Sequence, residues 1–250
     1  MRPELSIAYS TLGERCAQIR FPEPRAGVEI LVLVQGGGQV APEAVARPDI
    51  RVIALEGDGV ARSRNAAIAH AEGQFLLFAD DDITHLPEAV APFLAAFAAD
   101  PGLALVMGQA RNPDGRLHKR YADRPTRLTL FNSARIATYE MMVRLDAVRR
   151  HGLRFDEAFG AGRPNFIGDE YIFVADLLRA GLGARFIPVT IAEHPAESSG
   201  LRFSGAAPMR ARKALFRRVF GRAGPVFALL FVMRNWRRVE RIADLRHLFF

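Results

Sequence analysis

Three consecutive aspartates, Asp80, Asp81 and Asp82, follow directly on the apolar run QFLLFA. Carboxylates this close repel one another, and burial beside the end of a strand would strengthen the repulsion, so a cation is needed to stabilise them. Asp80 and Asp82 are alternate residues whose side chains can converge where an extended chain turns. Such a pair is a good site for a hard divalent cation that also holds phosphate oxygens.

Basic and amide side chains lie shortly before this strand. Arg62, Arg64 and Asn65 are suited to an anionic ligand. Together with the aspartates they indicate a metal-bound diphosphate. A plainer interpretation of the same stretch is that one aspartate caps the following helix and the others are solvated.

The elements that would position these side chains alternate between strands and helices. Apolar runs predict strands at LSIAYS, VEILVLV, IRVIAL, QFLLFA and LALVMGQAR, and helices at GVARSRNAAIAHAEG and PEAVAPFLAAFAAD. This order predicts an α/β fold with a Rossmann-like, mainly parallel sheet flanked by helices. Ligands of such sheets bind beyond the carboxyl ends of the strands, where residues 80–82 fall. Residues 109–135 are polar and contain prolines, so we expect a loop and irregular structure there.

The positive charge of the chain is concentrated near its C-terminal end. Residues 201–250 contain twelve Lys and Arg against Glu240 and Asp244, a net charge of +10, so with +7 overall the first 200 residues carry −3. We therefore expect a globular domain at residues 1–200 and a basic, amphipathic helical extension at 201–250. The extension includes VFALLFVM and Trp236, which fits an anionic membrane surface better than nucleic acid, and no nucleic-acid partner is expected.

Cysteine content and the N-terminal residues bear on location. Cys16 is the only cysteine, and MRPELSIAYST lacks the apolar run of a secretory signal. These features predict a cytoplasmic protein. With the basic extension, they also allow peripheral contact with the inner face of the cytoplasmic membrane.

Four ordered motifs resemble one enzyme family. GVARSRNAAIAHAEGQFLLFADDDI resembles the stretch of family 2 glycosyltransferases in which a G-x-x-x-x-R-N-x-x-I helix leads to a strand ending in D-x-D. FDEAFGAGRPNFIGDEYIFVADLLRAG resembles that family's glycine-containing loop, acidic pair, phenylalanine and helix ending Ala-Gly. IAEHP stands where proteins of the wider GT-A fold often carry a histidine. The resemblance covers residues 4–200, and the ordered set is more specific than any single motif.

The resemblance implies a nucleotide-diphosphate sugar donor and a divalent cation, Mn²⁺ or Mg²⁺. The metal ligands would be Asp80 and Asp82, with His194 approaching the metal or the diphosphate from the C-terminal side. A lone histidine before a proline is also compatible with an ordinary loop residue. The implied donor-binding residues are Ser10, Thr11, Gln35, Arg64, Asn65, Asp80 and Asp81.

The resemblance also assigns the chemistry to Asp169 and Glu170. The family's usual order is Glu then Asp, with the second acid as general base, whereas here the order is reversed. Phe173 and Gly181 nevertheless fall where the family has its phenylalanine and glycine, so the register is kept and the resemblance implies that Glu170 is the base. This carboxylate would take the proton of an acceptor hydroxyl as the hydroxyl attacks the anomeric carbon opposite the leaving diphosphate, which inverts that carbon. The metal and the arginines would stabilise the leaving group. A helix dipole favouring acids accounts for one of the pair.

The implied enzyme is a hexosyltransferase-like, inverting, metal-dependent glycosyltransferase. Its acceptor would be a hydroxyl of a glycan or lipid-linked glycan, as in bacterial cell-surface polysaccharide synthesis. Gln35 stands where the family usually has aspartates that contact the nucleoside, and a glutamine can still hydrogen-bond a base edge.

Two other interpretations remain open on the sequence. GGGQVA fits G-x-G-x-x-A after a strand and Glu56 lies near the spacing of a ribose-binding acid, as in an NAD-binding oxidoreductase. Against this, Pro42 and Pro48 leave little room for a crossover helix, and the aspartates stay unexplained. A catalytically silent module that binds a nucleotide sugar or scaffolds a complex would account for the reversed acidic pair and the missing aspartates.

Overall fold

The computed structural model describes residues 2–194 and 205–249 of the chain. The strands in these ranges are β1 (Leu5–Leu12), β2 (Val28–Gln35), β3 (Ile50–Leu55), β4 (Phe75–Asp80), β5 (Thr84–His85), β6 (Leu103–Arg111), β7 (Thr126–Arg127), β8 (Met141–Arg144) and β9 (Gly183–Glu193). The α-helices are α1 (Pro42–Val45), α2 (Val60–His70), α3 (Val90–Ala99), α4 (Leu145–Arg150), α5 (Asp169–Arg179), α6 (Ala206–Phe220), α7 (Gly224–Arg234) and α8 (Arg246–Phe249). Short 3-10 turns occupy Gly13–Gln18, Pro87–Ala89, Thr138–Glu140, Gly221–Ala223, Trp236–Arg238 and Ile242–Leu245.

The strands form one mixed sheet in the order β3-β2-β1-β4-β8-β6-β9-β5, with β7 paired to β9. β3, β2, β1 and β4 are parallel to their neighbours. β8 lies antiparallel between β4 and β6, and β6 and β9 are parallel. The predicted α/β fold is confirmed, and its parallel pairs join the four strands predicted from the N-terminal runs and, separately, β6 with β9.

Alternate residues of β2 show why its apolar run forms a central strand. Ile30, Val32 and Val34 face one core, which includes Phe93 and Phe97 of α3. Leu31 and Leu33 face the opposite core, which includes residues of α2 and α5. A strand covered by helices on both faces needs an apolar residue at each position, and VEILVLV supplies them.

The connection from β2 to β3 is short, as the two prolines in it indicate. It contains only the one-turn helix α1, with Pro42 in its first turn, where the absent N–H has no intrahelical partner to lose. The parallel pairing of β2 with β3 is therefore made without a full crossover helix.

The C-terminal helices pack against the sheet domain through α6. Val219 is buried with Tyr171, Ile172 and Ala175 of α5. Arg218 forms ion pairs with Asp176 at 2.6 Å and with Asp156 at 2.8 Å. The boundary predicted between residues 200 and 201 lies outside the described residues.

Two sets of apolar side chains occur on α6 and α7. Phe216, Phe220, Phe227 and Phe231 stack on one another between the two helices. A second set is exposed to solvent and consists of Val226, Leu229, Leu230, Met233 and Trp236. In the described ranges no helix combines the length and the apolar character that crossing a bilayer requires.

Candidate active site

The carboxyl ends of β1 and β4 bring two groups of predicted site residues together. Ser10 and Asp80 are paired across the two parallel strands, so the residues that follow each of them lie side by side. Thr11 donates a hydrogen bond of 2.9 Å to Asp81, whose side chain is almost fully buried. The aspartates therefore stand at the sheet edge that the strand order predicted.

A cation from the chain lies against this acidic cluster. Arg15, in the 3-10 turn after β1, approaches Asp81 at 2.5 Å and Asp82 at 3.0 Å. Burial raises the pKa of Asp81, and the charge of Asp82 acts in the same direction. Sequence reasoning missed Arg15; its position just beyond the carboxyl end of β1, beside β4, is the signal that could have identified it.

Arg64 is the buried centre of the site, with only 5% of its surface exposed. Its Nη2 lies 3.4 Å from Asp80, and its Nη1 donates a hydrogen bond to Asp169 and lies 3.6 Å from Glu170. One guanidinium thus joins Asp80 to the acidic pair. The structure brings together residues separated by more than a hundred positions in the chain.

The acidic pair forms the first turn of α5, where the helix dipole favours negative charge. The Asp169 side chain is 4% exposed, whereas that of Glu170 is 24% exposed. Burial raises the pKa of Glu170, and the charge of Asp169 raises it further. Glu170 is therefore the member of the pair that solvent and small molecules can reach, and it holds its proton more tightly than an ordinary glutamate.

Glycines in the loop before α5 allow the pair to be placed this closely. Gly160 has a φ of +95°, and a Cβ there would lie 2.9 Å from the carboxyl carbon of Asp169. Gly168 has a φ of +90°, and a Cβ there would lie 2.7 Å from the Leu215 side chain of α6. A residue with a side chain would be strained at both positions and would displace its neighbour.

Aromatic and amide contacts fix α5 and its loop to α2. Phe155 stacks on Phe173 with ring centroids 4.3 Å apart, and the Arg64 guanidinium lies 5.7 Å from the centre of the Phe155 ring. Asn65 accepts a hydrogen bond from the Phe155 N–H at 2.8 Å and donates to its carbonyl at 3.0 Å. Asn65 also donates to Glu157 at 3.0 Å, so its side chain is fully engaged with this loop.

Ser10 and Gln35 have partners on and beside α2. Ser63 donates a 2.8 Å hydrogen bond to Ser10. Gln35 is buried at the end of β2 and donates to the carbonyl of Gly59 at 3.0 Å, which fixes the backbone immediately before α2. Both residues therefore contribute to the position of the helix that carries Arg64.

His194 is buried in a group of aromatic rings. Its ring stacks on Tyr139, with centroids 4.9 Å apart, and lies 4.7 Å from the ring of His118. Burial raises the pKa of Tyr139, and the charges of Glu140, Asp80, Glu170 and Asp82 act in the same direction, so the ring that stacks on His194 is also within the field of the acidic residues. Tyr139 is a second residue that sequence reasoning missed.

Among the residues that the structure describes, no three His, Cys, Asp or Glu side chains converge into a metal site of their own. Asp80, Asp81 and Asp82 nevertheless offer the carboxylate oxygens that hard cations prefer. Mg²⁺ is commonly held by one or two carboxylates together with substrate phosphates, so a cation brought in with a diphosphate suits this donor set.

The mixed sheet, with an acidic cluster beyond β4 and an acidic pair opening α5, is similar in fold to glycosyltransferases of the GT-A class. Residues 29–156, about half of the chain, match glycosyl transferase family 2, and the chain belongs to that family. The dinucleotide-binding interpretation is not supported, because GGGQVA leads into the one-turn α1.

Solved structures with low sequence identity share the fold. The first 349 residues of S. aureus TarS in complex with UDP-GlcNAc align with a TM-score of 0.66 and 13% identity over 98% of this chain and 78% of that one. The same fragment with UDP aligns with a TM-score of 0.63 and 16% identity over 94% of this chain and 72% of that one. A mycobacterial protein aligns with a TM-score of 0.58 and 19% identity over 87% of this chain and 75% of that one. Against the longer TarS structure, the alignment covers 44% of that chain. No curated protein sequence matches.

Proposed function

We propose that this protein transfers a sugar from a nucleotide-diphosphate donor to a hydroxyl of a glycan or lipid-linked glycan, with inversion at the anomeric carbon. The observation that carries the proposal is the position of Arg64, which contacts Asp80 on one side and both members of the acidic pair on the other. A diphosphate at the aspartates would thereby lie close to a carboxylate able to take a proton. TarS structures with UDP and UDP-GlcNAc support a nucleotide-sugar donor.

Mn²⁺ or Mg²⁺ would be held by Asp80 and Asp82 together with the donor phosphates, with His194 on the C-terminal side. When bound, the cation would neutralise charge on the leaving diphosphate. Arg15 already lies against Asp81 and Asp82, so part of the acidic charge is balanced by the chain itself. Ser10, Thr11, Gln35 and Asn65 complete the proposed donor-binding set with Arg64 and Asp81.

Glu170 is the proposed general base. It is the more exposed acid of the pair, and its raised pKa brings its proton affinity closer to that of the group it must deprotonate. Asp169 is buried on Arg64 and has the role of holding that guanidinium, and with it the donor side of the site, in place. The reversed order of the acids is thus compatible with a base in the second position.

Turnover is the direct test of this proposal. The intact protein should hydrolyse or transfer from at least one of a panel of nucleotide sugars when Mn²⁺ or Mg²⁺ is present. Glu170→Gln keeps size and hydrogen bonding but cannot take the proton, so the rate should fall by about two to four orders of magnitude with donor affinity little changed. Glu43→Gln on exposed α1 is the matched control and should retain full activity. Binding of a nucleotide sugar without turnover in the wild type would favour the silent module.

We also propose that the extension at residues 201–250 lies on an anionic membrane surface on the cytoplasmic side. The exposed set of α7, with Leu229, Leu230 and Met233 at its centre, is followed by the exposed Arg234, Arg237 and Arg238. Apolar insertion and attraction of about 1 kcal/mol per basic residue would act together. This placement would bring the site to lipid-linked acceptors.

Vesicle flotation tests the membrane proposal with the full-length chain. Removing the extension would uncover the face of α5 that α6 covers, so substitutions are the better perturbation. Leu229→Ser with Leu230→Ser should abolish flotation with vesicles containing anionic lipid at low salt, and added salt should weaken flotation of the wild type. Val52→Ser, which truncates an exposed apolar residue on β3, is the control. Equal flotation of all three proteins would contradict the proposal.

A further inference from the structure

A cavity of about 140 Å³ opens beside β6, β7 and β9. Its floor is formed by residues of β6, β7 and β9 together with Tyr121, whose ring stacks on Phe186 with an interplanar angle of 6°. Its rim carries three basic residues, Lys119, Arg120 and Arg135. The cavity therefore combines an apolar floor with a cationic rim.

Among the residues that the structure describes, only one of these three cations has an ion pair. Lys119 lies 2.8 Å from the buried Glu140. Arg120 and Arg135 are exposed, and within residues 2–194 and 205–249 neither guanidinium has an ion pair. The rim thus presents two uncompensated positive charges to whatever enters the cavity.

The surrounding segment is more basic than the sequence average indicated. Residues 116–135 contain six Lys and Arg against Asp123, a net charge of +5, although the first 200 residues carry −3. A second positive region lies within the sheet domain, and the cavity is at its centre.

The cavity adjoins the proposed catalytic site through two connections. Tyr121 donates a hydrogen bond to Glu140, and burial, together with the charges of Asp80, Asp82 and Glu170, raises the pKa of Tyr139, the residue before Glu140. Tyr171, which follows the proposed base, donates a hydrogen bond to Leu130 in the loop that forms one wall. The segment that lines the cavity is therefore in direct contact with α5 next to the proposed base.

We infer that this cavity binds an anionic group, a phosphate or a carboxylate, on the saccharide acceptor. This inference rests on the proposed function and narrows its acceptor to an acidic glycan. Guanidinium groups bind both anions through paired hydrogen bonds, while the apolar floor suits the carbon skeleton of a sugar. Neutral glycans would lack the interaction with Arg120 and Arg135.

Titrations with small saccharides test the inference without a known acceptor. Glucose 6-phosphate, glucuronate and glucose would be titrated into the full-length protein by ligand-observed NMR in EDTA at 150 mM NaCl, so that no metal can hold an anion at the aspartates. At least one acidic sugar should bind about tenfold or more tightly than glucose. The acidic sugar that binds more tightly shows whether the cavity prefers a phosphate or a carboxylate. Equal binding of all three sugars, or no binding of the acidic ones, would overturn the inference.

Paired variants separate the cavity from general charge effects. Arg120→Gln with Arg135→Gln should weaken binding of the acidic sugar about tenfold or more. Arg116→Gln with Arg124→Gln removes the same charge from the same segment outside the cavity and should leave binding unchanged. Replacing Arg120 and Arg135 with Lys should restore part of the affinity. Equal losses in the two Gln pairs would show non-specific attraction and overturn the inference.

Binding of UDP with Mn²⁺ distinguishes failure of this inference from failure of the proposed function. The Arg120 and Arg135 substitutions should leave UDP binding intact. Asp82→Asn should abolish UDP binding and leave binding of the acidic sugar intact. If the wild-type protein does not bind UDP, only the proposed donor site fails. If it does not bind the acidic sugar, only the inference about the cavity fails.

Discussion

Removal of the Arg64 charge is the perturbation that the structure defines most sharply. Arg64→Gln would leave Asp80, Asp169 and Glu170 close together without the buried cation that they share. Removing one partner of a buried ion pair costs about 3–5 kcal/mol. For a chain of this size each kcal/mol lowers the melting temperature by about 2–4 °C, which predicts a decrease of about 6–20 °C.

The loss of stability in Arg64→Gln should also depend on pH. Burial already raises the pKa of Asp80 and of Glu170, and losing the guanidinium would raise both further. The folded variant then binds more protons than its unfolded chain at pH values above about 4, where unfolded carboxyls ionise, so its stability falls as pH rises toward the folded pKa values. The deficit relative to the wild type should therefore widen between pH 5.5 and pH 9.

Thermal unfolding in EDTA across that pH range measures both effects. Arg62→Gln is the matched control, because it removes the same charge two residues earlier on α2, where the side chain is 47% exposed and lies 4.0 Å from its acidic partner. An exposed pair of this kind contributes about 0–1 kcal/mol, so the control should melt close to the wild type. Equal melting temperatures for the two variants at every pH would refute the reasoning.

Three further perturbations test neighbouring parts of the site. Asp169→Asn should move the acidic limb of the pH–activity profile to lower pH, because the charge of Asp169 raises the pKa of Glu170. An unmoved limb, or a loss of turnover larger than that of Glu170→Gln, would place the base at Asp169. Asp82→Asn should remove the stabilisation that Mn²⁺ with UDP gives in a thermal-shift assay, while Asp58→Asn on the exposed loop before α2 keeps it; stabilisation that survives in the first variant would exclude Asp82 as a ligand. Gly160→Ala should cost about 1–3 kcal/mol more in unfolding free energy than Gly181→Ala, since both positions have positive φ but only a Cβ at residue 160 meets Asp169 and Val60; equal costs would show that the contact is unimportant.

Local patterns in the sequence were sufficient for the parallel half of the fold. β1 to β4 are continuous apolar runs, α2 ends before Gly73, and the aspartates follow β4 directly, so their place at the sheet edge could be read without a structure. Gly181 has a φ of +80° just beyond α5, as expected for the residue that ends the family's helix. These features depend on neighbours in the chain.

Contacts between distant segments could not be read in the same way. The ion pair of Arg64 with Asp169 depends on how α2 and α5 pack, and the contact of Arg15 with Asp82 depends on the turn after β1. The stacking of Tyr139 on His194 also depends on how distant segments pack, and no pattern within either segment indicates it. The basic cavity was missed because a net charge taken over 200 residues averages an acidic surface with a compact positive one.

The contact between α6 and the start of α5 has a consequence for how the chain unfolds. Leu215 occupies the space beside Gly168, and Arg218 and Val219 hold the same helix further along, so the residues that present Glu170 are covered by the C-terminal part of the chain. Melting of α6 would remove this cover and release the loop before α5 at the same time. We therefore expect a single cooperative heat-absorption peak in calorimetry, with activity and helix content lost at one temperature.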